Sequence, residues 1–108
     1  STLIRHRCPA LILVINNDGY LIERLLHEDG PYNDLQRWDY AGLPRVFDSG
    51  SRSVGMRVST EDELDGAMKI AAGEKDRLVL IEACLPNRDC SAGLRRLGDT
   101  FRKARQKR

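Results

Sequence analysis

Two compact apolar runs stand out from an otherwise mixed chain. Residues 11–15 are continuous in Leu, Ile and Val, with Pro9 before them and Asn16, Asn17, Asp18 and Gly19 after them. A run of this length between turn formers predicts a strand with apolar cover on both faces. Residues 78–85 form the second run, broken only by Glu82 and stopped by Pro86. Between the two, residues 54–58 predict a short strand. Thr60 followed by Glu63 then opens a helix with a capping box, and Leu64, Ala67, Met68 and Ala71 share one of its faces. Gly73 supplies the stop. A strand, helix, strand order with covered strands predicts the α/β class, a parallel sheet covered by helices, with residues 11–15 and 78–85 as parallel neighbours or near-neighbours.

The remaining segments carry weaker periodicity. Tyr20, Ile22, Leu25 and Leu26 fall over two turns and predict a short helix. Residues 29–53 are broken by Gly30, Pro31, Gly42, Pro44 and Gly50, which predicts an ordered loop or small helices anchored by Tyr32, Trp38, Tyr40, Leu43 and Phe47. From Ser91 onward, Leu94, Leu97, Phe101 and Ala104 stand at helical spacing. Gly98 inside that helix costs about 1 kcal/mol relative to alanine, so the helix is expected to depend on docking.

Length and composition narrow the field of functions. A chain of 108 residues suits one domain, and no Pro-, Gly- or Ser-rich linker divides it. The longest apolar stretch, residues 10–15, falls well short of the roughly 20 residues that span a bilayer, and no small-residue cleavage site follows it. Neither a membrane nor a signal peptide is expected. Cys8, Cys84 and Cys90 show neither zinc-site spacing nor the even count of a disulfide scaffold, which points to reduced thiols and a cytoplasmic setting. Seven of the 18 basic residues lie in residues 91–108 beside a single acid, Asp99, and leave the rest of the chain net acidic. No aromatic side chains are interleaved on that basic face, so a solvated helix face is expected rather than a nucleic-acid site.

Candidate chemistry sits where the first strand ends. Ligands of open parallel sheets collect at the carboxyl ends of strands, where Asn16, Asn17, Asp18 and Gly19 fall. Side-chain amide oxygen, carboxylate and turned backbone carbonyl are the hard donors that magnesium prefers, and the same four residues equally describe a plain turn. Glu23 follows Gly19 by four residues, which suits a general acid near the strand end or a solvated glutamate paired with Arg24 or His27.

Three blocks resemble the thiamine-diphosphate-dependent 2-oxo-acid decarboxylases, the pyruvate, indolepyruvate and phenylpyruvate decarboxylase family. Residues 1–5 resemble the helix before the second half of the family's cofactor motif. Residues 16–23 resemble that half and the catalytic glutamate beyond it. Tyr32-Asn33-Asp34-Leu35 with Trp38-Asp39-Tyr40 and Leu43-Pro44 resembles the segment that follows, its Tyr-Asn-Asp and Trp-Asp as in the decarboxylase branch. Residues 54–97 resemble the rest of the domain. The resemblance implies the carboxy-terminal portion, residues 1–108, of a Rossmann-like three-layer thiamine-diphosphate-binding domain. It implies Asn17 and Gly19 as ligands of Mg2+, with Asn17, Gly19, Tyr20 and Ile22 toward the cofactor and Glu23 catalytic. It further implies a 2-oxo acid substrate converted to an aldehyde and carbon dioxide, and a homodimer or homotetramer as the complete enzyme.

The departures from the family pattern are specific. The Gly-Asp-Gly half-motif, whose aspartate is a further magnesium ligand, is not in these residues, and neither is the amino-terminal domain that acts on the cofactor across a subunit interface. Leu21 stands where a hydroxyl residue is usual. A catalytically inactive remnant, or a fragment that depends on a partner, is the alternative reading.

Overall fold

A computed structural model describes residues 1–27, 29–50 and 52–106. Ser51, within the irregular segment, and Lys107 and Arg108, counted in the basic tail, lie outside the described residues. The chain divides into two compact units: residues 1–16 with 38–84, and residues 17–37 with 85–108.

The first unit is a three-stranded parallel sheet. Its strands are β1 (Leu11–Asn16), β2 (Val54–Val58) and β3 (Val79–Cys84), in the order β1-β3-β2. Leu13 stands opposite Ile81, and Ile81 opposite Met56. The two apolar runs are therefore direct parallel neighbours, as their pattern predicts. Between β2 and β3 runs α4 (Glu61–Gly73), the crossover that a parallel pair requires. Thr60 Oγ1 accepts from the Glu63 amide, and the Glu63 carboxylate accepts from the Thr60 amide, which completes the expected capping box.

Val58, Ala67, Val79, Ile81 and Ala83 form the core, with Val54, Met56, Leu64 and Ala71 packed around it. These residues lie between α4 and one face of β2 and β3. Leu11, Leu13 and Ile15 share that face by register, yet they are 44%, 46% and 57% exposed. Here the expectation of cover on both faces of β1 fails. An unbroken apolar run is common to a fully covered strand and to one with an open face, and the pattern alone does not separate them. Toward the opposite face lie the short helices α1 (Thr2–Arg5) and α3 (Leu43–Phe47), which with Ile12 and Leu80 line a common cleft.

The second unit is built on α2 (Leu21–Leu26) packed against α5 (Ala92–Gln106), with a 3₁₀ turn at Pro31–Asn33. Gly98 explains itself at this contact. A Cβ there would lie 2.9 Å from the Leu25 carbonyl oxygen, so the glycine that weakens α5 lets it approach α2. The aromatic residues expected to anchor the loop do not all do so. Tyr32 and Trp38 are 68% and 59% exposed, while Asn33 and Pro44 take the buried positions. Trp38 instead stacks on Tyr40, with ring centroids 6.3 Å apart. Among the described residues, no helix is long and apolar enough to cross a membrane.

Candidate functional site

Each unit holds a polar cluster. In the first unit Glu82, which interrupts the apolar run of β3, is 1% exposed. Its Oε1 accepts from Asn16 Nδ2 at 2.6 Å, and its Oε2 accepts from the Ala41 amide at 3.0 Å and from Arg57 Nε at 3.1 Å. One carboxylate thereby joins all three strands and the turn at Tyr40–Gly42. Burial pushes this carboxyl up, and the hydrogen bonds from Asn16, Ala41 and Arg57 outweigh it and hold the group below the ordinary glutamate value. Arg57 also reaches Asp39 at 2.7 Å, and Asp39 Oδ1 accepts from the Gly42 amide at 3.1 Å.

The second cluster surrounds the turn that follows β1. Asn17 and Asp18 are half-buried, and Asp18 has φ of 54°, the left-handed conformation that its short polar side chain tolerates. Gly19 is buried against two groups. A Cβ would stand 2.7 Å from the Asn33 carbonyl oxygen and 2.9 Å from Arg24 Nη2. The Tyr20 amide donates to that same Asn33 carbonyl at 2.9 Å, and Gly19 bridges to Asp34 in antiparallel fashion. The turn is therefore clasped by the segment that carries Tyr32, Asn33 and Asp34.

Tyr20 caps α2 at its amino end and is 51% exposed, and Ile22 is 49% exposed. Glu23, on the first turn of α2, keeps a half-exposed carboxylate 3.6 Å from His27 Nε2. Arg24 turns the other way. Its side chain is 8% exposed and pairs with Asp29 at 2.6 Å and with Asp34, while Asp29 pairs in turn with Arg88 at 2.7 Å. The Arg24 hydrogen bond holds the Asp29 carboxyl down against the upward push of burial, and Arg88 adds to the effect.

Asn17, Gly19, Tyr20, Ile22 and Glu23 thus occupy one turn and the start of one helix, with Asp18 among them. Arg24, Asp29 and Asn33 are the residues that sequence reasoning passed over as site-forming. Arg24 was visible only as a possible partner of Glu23, since nothing in its spacing shows that it is buried. Glu82 did leave a signal, as the one charge inside an apolar run.

The donors at the turn suit a hard cation. Asn17 contributes an amide oxygen and Gly19 a backbone carbonyl, and Gly19 leaves no Cβ between its backbone and its neighbours. Among the described residues, no group of three or more His, Cys, Asp or Glu side chains is placed to hold a metal ion. A cation at this turn would be completed by oxygens from elsewhere.

A parallel sheet flanked by helices, with an amide- and carbonyl-bearing turn directly after a strand, defines a small α/β unit of the kind found in part of a Rossmann-like cofactor domain. Comparison with known proteins narrows the class. The chain is 39% identical over 95 residues to a probable pyruvate decarboxylase of Schizosaccharomyces pombe, a match covering 87% of this chain and 16% of that one. It is 40% identical over 87 residues to an alpha-keto-acid decarboxylase of Mycobacterium tuberculosis, covering 80% and 15%. It is 40% identical over 95 residues to a pyruvate decarboxylase of Neurospora crassa, covering 87% and 16%. No family model matches the chain. The chain resembles part of a thiamine-diphosphate-dependent 2-oxo-acid decarboxylase, and spans 15–16% of the length of these relatives.

Proposed function

We propose that this chain carries the second half of a magnesium and thiamine-diphosphate site, serving non-oxidative decarboxylation of a 2-oxo acid to an aldehyde within a larger assembly. The observation that supports it best is the turn itself. Asn17, Gly19 and Glu23 follow the carboxyl end of a parallel strand in the order that the family resemblance gives them, on a backbone clasped by Asn33 and Arg24.

In this reading Asn17 holds Mg2+ through its side-chain oxygen and Gly19 through its carbonyl. Tyr20 and Ile22 lie along the cofactor. Glu23, with its half-exposed carboxylate on the first turn of α2, carries a proton to or from the reacting centre. Thiamine diphosphate, when bound, supplies the electron sink for loss of carbon dioxide. The Gly-Asp-Gly half of the site, an amino-terminal domain and a second subunit come from outside these residues, and the complete enzyme is a homodimer or homotetramer. Cys8, Cys84 and Cys90, with neither the spacing of a zinc site nor the even count of a disulfide scaffold, fit a reducing, cytoplasmic setting.

A chimera tests the assignment, with this chain replacing the matching segment of the Schizosaccharomyces pombe relative. Asn17→Ala in that chimera should lower the magnesium-dependent affinity for thiamine diphosphate about tenfold or more, because a metal ligand is removed. Glu23→Gln should spare cofactor affinity and depress kcat about 10²-fold or more. Unchanged cofactor affinity in the first variant would reduce Asn17 to a turn residue. Unchanged kcat in the second would reduce Glu23 to a surface partner of His27. The inactive-remnant alternative is favoured if the chimera folds, binds cofactor and turns nothing over.

A further inference from the structure

We propose that Arg24 is a positioning residue for the Gly19 turn, an inference that rests on the reading of Asn17 and Gly19 as magnesium donors. The guanidinium does two things at once. It forms a wall against the Gly19 backbone, 2.9 Å from where a Cβ would stand, beside the Asn33 carbonyl that accepts from the Tyr20 amide. It also joins Asp29 and Asp34, the second of which bridges to Gly19. The turn is thereby held along the side where a Gly19 Cβ would stand, and the carbonyl proposed to reach the metal rides on that held backbone.

Charge makes the pairing necessary rather than incidental. A lone guanidinium beside a cation site would repel the cation, most strongly at low salt, since the exposed Asp34 side leaves the cluster open to screening. Asp29 and Asp34 cancel that charge, and Arg88 balances the surplus carboxylate from the far side of Asp29. Among the described residues the buried Arg24 Nε meets no acceptor, an unmet donor that costs stability rather than adding to it. A planar fork that reaches two carboxylates is a task for arginine, and lysine performs only part of it.

The experiment uses the 108-residue chain with Mn2+ as the probe ion, followed by amide NMR. Broadening of Asn17 and Gly19 amides by Mn2+ in the unsubstituted chain tests the donor reading by itself. Hydrogen exchange at the Tyr20 amide tests Arg24, so the two ideas fail separately. In Arg24→Met, Tyr20 exchange should speed up about tenfold as the turn opens locally, with the amides of Leu94 and Gly98 in α5 unchanged, and Arg24→Lys should recover part of the protection. Asp34→Asn keeps the guanidinium and removes half of its neutralisation. It should weaken Mn2+ broadening at Gly19 several-fold at low salt, with the loss fading as salt is added. Native exchange at Tyr20 in Arg24→Met, or equal protection by methionine and lysine, overturns the proposal. If Arg24→Met fails to fold, unchanged Mn2+ broadening in Asp34→Asn overturns it instead.

Discussion

β1 and β3 lie side by side in register and are made of nearly the same residue types, yet they live in different surroundings. β3 is buried at its first five positions, from Val79 to Ala83. β1 alternates between exposed and half-buried along its whole length. The difference comes from neighbours. β3 is hydrogen-bonded on both sides, and α4 covers its core face, whereas among the described residues β1 is paired on one side and leaves Leu11, Leu13 and Ile15 open. Parallel sheets in larger proteins are covered on both faces, so the sheet is finished around β3 and open along β1.

The sharpest way to break this comparison is to truncate equivalent positions. Ile81→Ala should cost about 2–5 kcal/mol, because Ile81 is fully buried in a close-packed core. Leu13→Ala, directly opposite, should cost under about 1 kcal/mol. Urea unfolding of both variants measures the contrast, and equal losses would mean that β1 is as buried in solution as β3.

A second test lies at Glu82, where the buried strand carries its one charge. Glu82→Ala removes the carboxylate that accepts from Asn16 Nδ2, the Ala41 amide and Arg57 Nε, and should cost about 1–3 kcal/mol. Its acid dependence has a definite sign. The folded carboxyl sits below the ordinary glutamate value, so its contribution is fully present above that value and is lost as pH falls through the folded one. Stability of the Glu82→Ala chain should therefore fall less steeply with acid than that of the unsubstituted chain. Parallel acid profiles would show that Glu82 makes no such contribution.

The smallest expected effect is at the open face. Leu13→Lys should change stability by no more than about 0.5 kcal/mol and reduce self-association, since a lysine on an exposed edge strand blocks edge-to-edge pairing. Sedimentation of the two chains at matched concentration checks it. A fold lost to this substitution would mean that the face is covered.

Much of this architecture was legible in the chain. Apolar runs gave β1 and β3, Thr60 and Glu63 gave the start of α4, and the spacing of Leu94, Leu97 and Phe101 gave α5, because each signal is local and repeats with a known period. The coverage of β1 was not legible, since it depends on what packs above the strand. The anchoring of residues 29–53 departs in part from its pattern for a similar reason. Size suggests Tyr32 and Trp38, but Asn33 and Pro44 are buried instead, and the Asn33 backbone carbonyl holds the Tyr20 amide. The candidate donors Asn17 and Gly19 could be picked from sequence, whereas the grip of Arg24 on Gly19 is a tertiary contact without a sequence period.

The central claim is that these residues hold one half of a cofactor site and that the other half must come from outside them. Calorimetric titration of the 108-residue chain with thiamine diphosphate and Mg2+, beside a version joined upstream to a segment bearing the Gly-Asp-Gly half-motif, tests it directly. Asn17 and Gly19 offer one side-chain and one backbone oxygen to an ion that gives up its water reluctantly, so no tight binding is expected from the chain alone. The joined version should bind. Micromolar binding by the 108-residue chain would contradict the account.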